Sequence, residues 1–516
     1  NINAKYVEEV DPKEMVYAGI KGMLGVLDPF SDMLEKKAYE RLMESTHGKY
    51  EGVGMSIDSR EGWITVITPL EGTPAFRMGI QAGDKIVEID GKSTQGMTTE
   101  EASRLMRGPK GTEVTLKIKR EGLVEALEYK IKRELIQLKS VPYHGIIPTS
   151  QGKIGYIRLS SFSETAGKEL KDAIQELKDQ NIEGLVFDLR WNGGGLLNQA
   201  VQVASYFLAK NKLLVYTRGR TDDQDKKFFS QGDPIYGESP LVVLVDAQTA
   251  SASEIVAGAI QDWDRGVVIG DTTFGKGLVQ QLYEMSDEIT LKLTTAKYYI
   301  PSGRCIQKPE RSRKSSFLAE TEEDETKTDS SEVEDKKDVF FTNGGRLVYG
   351  GGGIVPDLII EKEILEPMEV NLERKQMFFD FAVKYSAQHQ DVNKNFEPTE
   401  QTLAEFKEFI KERKFDYKTP EEFYLDTLQE IMKKEKKLEY YQTALNNLRD
   451  LIAKNKELDF EKSKDYIKKS IKRDVLIKLY GEKGYYEELM LKADPGVKRA
   501  LEIMTTKNEY RKMLKG

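Results

Sequence analysis

Between Lys153 and Tyr299 the chain alternates short apolar runs with helical patterns, and that alternation restricts the folds open to it. Ile154 to Leu159, Leu185 to Leu189, Leu241 to Val245 and Val267 to Ile269 read as strands. Ala166 to Lys178, Leu196 to Leu208 and Ala252 to Trp263 read as the helices between them. Strands and helices in strict succession predict an α/β layer. Ile289 to Ile300 adds a longer β-rich segment.

Other patterns flank this region. Residues 1–47 form a helical lead. Asp11-Pro12-Lys13-Glu14 supplies a cap, a Pro at the first helical position and a reciprocal Glu, so a helix should run to about Leu27. Phe30 to Thr46 carries a second helical pattern. From Gly48 to about Arg133 short strands with Gly-rich turns, such as Trp63 to Ile67 and Thr112 to Lys119, surround one helix at Thr99 to Met106. Ile354 to Ile360, with Pro356 inside it, reads as an edge strand. Glu320 to Asp338 holds ten acidic and three basic residues, a composition that cannot bury enough apolar surface to order itself, so 309–338 reads as a disordered insertion. From about Glu373 to Gly516 the sequence is Lys/Glu-rich and helical.

Composition narrows the chemistry. The 516 residues carry 78 Lys+Arg against 86 Asp+Glu, a net charge of −8, which argues against a dominant nucleic-acid surface. No run of eighteen apolar residues occurs to span a membrane. One cysteine, Cys305, excludes a disulfide framework within the chain and a cysteine zinc cluster. Three histidines, His47, His144 and His389, leave few choices for the usual general base. The chain begins Asn1-Ile2-Asn3 without an apolar signal segment, which leads to the expectation that a targeting or anchoring stretch has been removed.

Four local constellations can carry chemistry. Ser251 followed by Glu254 is a capping box, and a Ser entering a helix also sits where backbone N–H groups and the helix dipole stabilise a developing oxyanion. Gly270 to Gly277 nearly spells a phosphate-binding loop, but Gly277 stands where the Mg²⁺-binding hydroxyl belongs. Lys276, between two glycines, instead offers an amine on a tight loop. Burial lowers a lysine pKa, and a neutral lysine can take a proton from a serine. Asp188-Leu-Arg-Trp-Asn-Gly-Gly-Gly195 ends a strand in a Gly-rich loop, where α/β proteins place ligands, without dinucleotide spacing. Gly52-Val53-Gly54-Met55 opens the β-rich module and can present amides to a terminal carboxylate, with the following strand edge open to β-augmentation.

Taken together, these segments resemble the carboxy-terminal processing proteases, serine peptidases with a Ser–Lys dyad. The resemblance covers roughly residues 5–365. It rests on Ser251-Ala-Ser-Glu-Ile, on Phe274-Gly-Lys276-Gly twenty-five residues beyond the Ser, and on Gln280. Leu27-Asp-Pro-Phe-Ser31, Gly155-Tyr-Ile-Arg-Leu159, Tyr298-Tyr-Ile-Pro-Ser-Gly303 and Gly353-Ile-Val-Pro-Asp357 match further landmarks, and residues 50–135, including Arg107-Gly-Pro-Lys-Gly-Thr112, look like the family's PDZ domain.

The resemblance implies a multidomain α/β chain: a ClpP/crotonase-like α/β protease core with an inserted PDZ domain and flanking helical regions. Its parts would be a helical lead at 1–47, a PDZ domain at 48–135, a core at 136–308 and 339–372, and a helical domain at 373–516. It implies Ser251 as nucleophile, Lys276 as general base and Gln280 positioning the lysine. Ala252 and Gly194 would supply the oxyanion hole, and Glu254, Asp262 and Thr273 would support the site. Gly52, Val53, Gly54 and Met55 would bind peptide, with Arg107 reporting its occupancy.

The same resemblance implies cleavage of protein or peptide substrates with exposed C-terminal tails, no metal or other cofactor, and no nucleic acid. An adaptor and a homo-oligomer are the other partners it suggests. The expected location is extracytoplasmic, in a bacterial periplasm or at its membrane, with a part in signal transduction. The rival reading is a catalytically silent PDZ scaffold. A trypsin-like PDZ protease is disfavoured, since no serine lies in Gly-x-Ser-x-Gly.

Overall fold

The apolar runs become the inner strands of a six-stranded sheet in a computed structural model that describes residues 2–309, 338–361, 363–389, 391–506 and 508–515. The chain divides into two units, one of residues 1–49, 137–361 and 494–516, the other of residues 50–136 and 362–493.

In the first unit the sheet order is Tyr143–Thr149, Gly152–Arg158, Gly184–Asp188, Leu241–Val245, Val267–Gly270 and Leu358–Ile359. The first two strands form an antiparallel hairpin and the remaining pairings are parallel. Every residue of Gly184–Asp188 and of Leu241–Val245 is buried, as strands covered on both faces require. Because the inner strands run parallel, the loops that follow Asp188, Val245 and Gly270 leave the same sheet edge. Residues far apart in sequence meet there. The edge strand is Leu358–Ile359 alone, shorter than the Ile354 to Ile360 read from the sequence, and Pro356 lies just before it rather than within it.

The helix Ala252–Asp262 is buried along its whole length. It has almost no polar face, and its buried polar side chains each find a partner. At its far end Asp262 pairs with Arg304 at 2.8 Å, both essentially closed to solvent. Burial pushes the Asp262 carboxyl up, and Arg304 pulls it part of the way back. The residue before Asp262, Gln261, donates from Nε2 to Val355 O and Asp357 Oδ1.

Two segments depart from the sequence reading. Phe30 to Thr46 is not one helix: Asp32–Glu35 is a strand antiparallel to Ile289–Tyr299, and the helix is Lys36–His47. The open edge of Ile289–Tyr299 outweighs local helical periodicity, since pairing satisfies backbone groups on both segments. The second departure concerns the tail. From Asp494 on, the chain packs with the first unit rather than with the helical region expected at 373–516. Arg190 reaches Asp494 at 3.0 Å, and Leu241 N–H donates to Tyr510 OH at 3.0 Å.

The second unit begins with a β-rich module whose sheet runs Met55–Arg60, Trp63–Pro69, Lys85–Ile89, Glu113–Lys119 and Leu127–Lys132. Alternating inward residues, among them Ile64, Val66, Ile86, Leu116 and Ile118, build its core. Thr98 and Glu101 cap its helix Thr99–Met106 reciprocally. Beyond Glu366, helices bury Leu372, Phe378, Phe381, Phe406, Ile471 and Val475 in a separate core. The acidic insertion expected at 309–338 lies, over residues 310–337, outside the described residues.

Removing one partner of a buried ion pair strands the other charge. Asp262→Ala should therefore lower the unfolding free energy by about 3–5 kcal/mol. Urea denaturation followed by circular dichroism measures it, and a loss below about 1 kcal/mol would assign the pair no structural weight.

Candidate active site

Ser251 occupies the turn between the strand Leu241–Val245 and the helix Ala252–Asp262 with φ 57° and ψ −116°. A positive φ is strained for a residue with a Cβ, and it separates this turn from an ordinary cap, whose first residue is extended. The surroundings hold it. Ala250 N–H donates to Asn192 O at 3.0 Å, Ser253 Oγ donates to the same carbonyl at 2.9 Å, and Thr249 Oγ1 donates to Leu189 O at 3.0 Å. The Ser251 turn is thus laced to the Gly-rich loop after Asp188.

That loop is stiffened at both ends. Asp188 is buried and accepts from Tyr156, Arg158 and Arg190. Burial pushes its carboxyl up, but the two arginines outweigh burial and hold it below its ordinary value. Asn192 is buried, and its Nδ2 donates to Leu159 O at 2.9 Å. Gly194, at φ 98°, passes so close to Ser251 that a Cβ would lie 2.8 Å from the Ser251 Cβ and 2.9 Å from Ala252 N. Its own N–H donates to Asn192 Oδ1 at 2.9 Å. Ala252 is the first residue of its helix, so its N–H has no helical carbonyl to bond.

Lys276 arrives on the loop after Val267–Gly270, and Glu254 fixes that loop. Glu254 Oε2 accepts from Ser251 N–H at 2.7 Å and from Lys276 N–H at 2.9 Å. Its Oε1 accepts from Thr273 Oγ1 at 2.5 Å and from Gly275 N–H at 2.7 Å. One carboxylate oxygen therefore holds the backbone of both Ser251 and Lys276. Burial raises the Glu254 pKa, and the four donors oppose the rise. Thr273 Oγ1 also accepts from Ile354 N–H at 2.7 Å, which ties in the Gly353–Asp357 motif.

Two further residues reach the site. Lys276 Nζ lies over the ring of Phe30, 4.6 Å from its centroid. The Tyr298 hydroxyl donates to Lys276 O. Burial, then the Glu254 charge, raises the Tyr298 pKa well above its ordinary value. Phe30 is set by its own loop: Asp28 accepts from Phe30 N–H, Ser31 N–H and Ser31 Oγ, and Ser31 Oγ accepts from Thr294 N–H at 3.1 Å. The roles of Phe30, Tyr298 and Asn192 were not read from sequence. Phe30 and Tyr298 stand in matched landmarks, but nothing local says what either touches.

The structure thus gathers Ser251, Ala252, Gly194, Glu254, Thr273 and Lys276. Gln280 lies on the strand Leu278–Ser286 opposite Thr294, and its Nε2 is buried without a partner among the described residues. Asp262 does not join the cluster. It sits at the other end of the Ser251 helix, about 16 Å away by helical rise, paired with Arg304. The histidines bind glutamates instead: His47 to Glu164, His144 to Glu176 and His389 to Glu405.

In the β-rich module, Gly52 ends the strand Lys49–Gly52 and Val53 is buried. Gly54, at φ 81°, presses on Thr73, which a Cβ would strike at 2.3 Å. Met55 starts the edge strand Met55–Arg60, paired on one side only among the described residues. Arg107 closes the helix Thr99–Met106 beside this loop, with its guanidinium 4.7 Å from the Tyr50 ring centroid and its Nε donating to Ser103 Oγ at 3.2 Å.

The family model of Peptidase family S41 matches residues 153–311, that of the PDZ domain residues 65–120, and that of the C-terminal helical domain of a probable PDZ-protease residues 368–504. The carboxy-terminal-processing protease of Bartonella bacilliformis is 40% identical over 310 residues, 59% of this chain and 70% of that protein. The carboxyl-terminal-processing protease of Synechocystis sp. is 39% identical over 60% of this chain and 72% of its own length. The chain belongs to the carboxy-terminal processing protease family. It is a serine peptidase with a PDZ domain and a helical C-terminal domain. Among solved structures it is similar to a photosystem II D1 C-terminal processing protease, at 32% identity over 59% of this chain and 82% of that one, with a TM-score of 0.37.

Glu254→Gln tests the carboxylate directly. An amide keeps the volume but turns an NH₂ toward two N–H donors. The variant should lose about 2 kcal/mol or more, and the 271–277 loop should exchange its amide hydrogens faster. Unchanged protection of the loop would show that Glu254 does not hold it.

Proposed function

We propose that this protease cleaves peptide bonds with Ser251 as nucleophile and Lys276 as general base, after its PDZ domain has captured a substrate's C-terminal tail. The observation that carries the reading is the shared Glu254 oxygen, which holds a strained serine and the lysine loop together at a helix N-terminus. The pairing of all three histidines with glutamates supports a lysine base.

The chemistry follows from the groups present. Neutral Lys276 takes the Ser251 Oγ proton as Oγ attacks the scissile carbonyl. The oxyanion develops toward the Ala252 N–H, where the helix N-terminus favours negative charge. Gly194 supplies the second donor once its N–H turns from Asn192 Oδ1. Lys276 returns the proton to the leaving amine, and then acts as base for the water that releases the acyl group. Gln280 would position the lysine by accepting an Nζ–H at its Oε1, which leaves the one lone pair of the neutral amine for the serine proton. Thr273 and Glu254 fix the backbone, and Asp262 anchors the far end of the helix.

Tail capture uses the open edge of Met55–Arg60 for main-chain pairing and the amides at Gly52 to Met55 for the terminal carboxylate. Arg107, at the end of the adjacent helix, is placed to sense an occupied loop.

Ser251→Ala and Lys276→Ala should each lower kcat/KM on an unfolded, tailed substrate by about 1,000-fold or more. Near-wild-type cleavage by Lys276→Ala would overturn the dyad. Amidating the substrate's C-terminus should raise KM, and tail binding without cleavage by the wild type would favour the silent-scaffold reading.

Phe30 gives a separate pH test. Its ring face favours the Lys276 cation and so raises the pH at which the base becomes neutral. Phe30→Leu keeps the apolar bulk and removes the ring, and should move the acid limb of kcat/KM down by about half to one pH unit. Phe30→Tyr should leave it in place. An acid limb that does not move in Phe30→Leu would exclude the ring from setting the base.

A further inference from the structure

Trp191 shares a positive φ with Ser251, here 56°, and stands three residues before Gly194. Asn192 N–H donates to Leu189 O at 3.3 Å, so Leu189 to Asn192 is a closed turn with Trp191 in its third position. A positive φ there, after a residue without one, is the pattern of a type II turn, which Gly or Asn fills with little strain. A tryptophan is strained in that position, because its Cβ crowds the backbone. Asp246 holds it in place: both carboxylate oxygens accept from Trp191 N–H, at 3.0 and 3.2 Å. The same carboxylate accepts from Gln248 N–H and Thr249 N–H, both at 2.9 Å, in the turn that leads into Ser251.

The strain does not serve packing. Trp191 is 73% exposed, and its indole makes no hydrogen bond or ring contact among the described residues. Trp263, by contrast, is half-buried, and its Nε1 donates to Leu213 O at 2.7 Å. Beyond Trp191 the loop is bare. The Asn192 side chain is buried against Leu159 O, and Gly193, Gly194 and Gly195 carry none. A Cβ at Gly193 would meet nothing within 4 Å. Glycine lets another backbone come close. The loop therefore offers an extended chain a smooth path past Gly194, with one large side chain at its start.

We infer that Trp191 sets the choice of cleavage site, by packing its indole on an aromatic or large aliphatic side chain of the substrate. The inference rests on the proposed role of Ser251, which fixes where the scissile bond lies. Three peptide units separate Trp191 from Gly194, so their Cα atoms are at most about 11 Å apart. An extended peptide advances about 3.3 Å per residue. The indole thus falls beside the three or four substrate residues nearest the scissile bond. A rigid indole buries a large apolar area at little cost in side-chain freedom, and its face suits another ring. Backbone strain persists where a functional position requires it, and an exposed tryptophan in a place made for Gly or Asn meets that description.

The test uses the full chain and tailed, unfolded substrates in which each of the four residues on either side of the scissile bond is in turn Phe, Leu or Ala. At one of these positions wild type should prefer Phe to Ala by about tenfold in kcat/KM, with Leu between them. Asn suits the third position of the turn, so Trp191→Asn should fold with an equal or higher melting temperature. Its Phe-to-Ala ratio should fall to within about twofold, and Trp191→Phe should keep most of the wild-type ratio. A wild type with no such preference at any position would overturn the inference. So would a Trp191→Asn chain that loses kcat/KM by the same factor on all three substrates, the mark of a merely structural role. The ratio is read within one enzyme and is separate from the dyad. Cleavage that survives in Ser251→Ala would fail the dyad, whereas an unchanged Phe-to-Ala ratio in Trp191→Asn would fail the indole.

Discussion

Glu254 is sealed from water in the first turn of the helix Ala252–Asp262 and accepts four hydrogen bonds there, from Ser251, Thr273, Gly275 and Lys276. Taking a carboxylate out of water is expensive, and full hydrogen bonding is what offsets that cost. Here the donors come from two chain segments that leave neighbouring parallel strands. The carboxylate can be satisfied only when both segments are in place, so the cost of burying it becomes a constraint on the site. Thr273 extends the constraint to Ile354, because one hydroxyl donates to Glu254 and accepts from the Ile354 amide. The Ser251 turn, the Lys276 loop and the motif beginning at Gly353 are positioned as one cluster.

The far end of the same helix is held by different physics. Asp262 and Arg304 pair without water, and Arg346 bridges Asp264 at 2.6 Å and Asp357 at 2.7 Å. A helix anchored at both termini, and buried between them, cannot slide or tilt freely against its sheet. That immobility suits a turn in which Ser251 is kept at a strained φ, since strain persists only where the surroundings over-determine it. Gly194 completes the restraint from the opposite side, its backbone filling the space that a side chain would need.

Parts of this arrangement were legible in the sequence because they are local. The apolar runs from Leu185 and Leu241 carry no polar alternation, which is what burial on both faces looks like in one dimension. Ser251 and Glu254 stand three residues apart, the spacing that lets a side chain reach back to a helix start. The parts that could not be read depend on distant partners. Phe30 lies under Lys276 only because Ser31 is bonded to Thr294, a strand away in space and most of a domain away in sequence. Asp32–Glu35 has helical periodicity and becomes a strand because an edge is open beside it. Asp494 leaves its Lys/Glu-rich neighbourhood for Arg190, whose guanidinium already balances Asp188. Asp262 is next in the same helix register as the site residues, yet its partner Arg304 places it in the scaffold.

The proposed base must be neutral to act, and its surroundings bear on that in opposite directions. The Phe30 ring lowers hydration at Nζ, which favours the neutral amine, and presents a π face, which favours the cation. Glu254 accepts from the amides of Ser251, Gly275 and Lys276 and from the Thr273 hydroxyl, so its charge is shared among four donors. Tyr298 directs its proton to the Lys276 carbonyl, and its raised pKa keeps the phenol neutral beside Ser251. In the proposed machinery the Gly194 amide is engaged elsewhere, on Asn192 Oδ1. A single neutral hydrogen bond is worth about 1 kcal/mol net, a sum that substrate contacts along the Gly-rich loop can readily exceed. On the proposed mechanism, then, the Gly194 amide reaches the oxyanion by a turn of one peptide group away from Asn192 Oδ1.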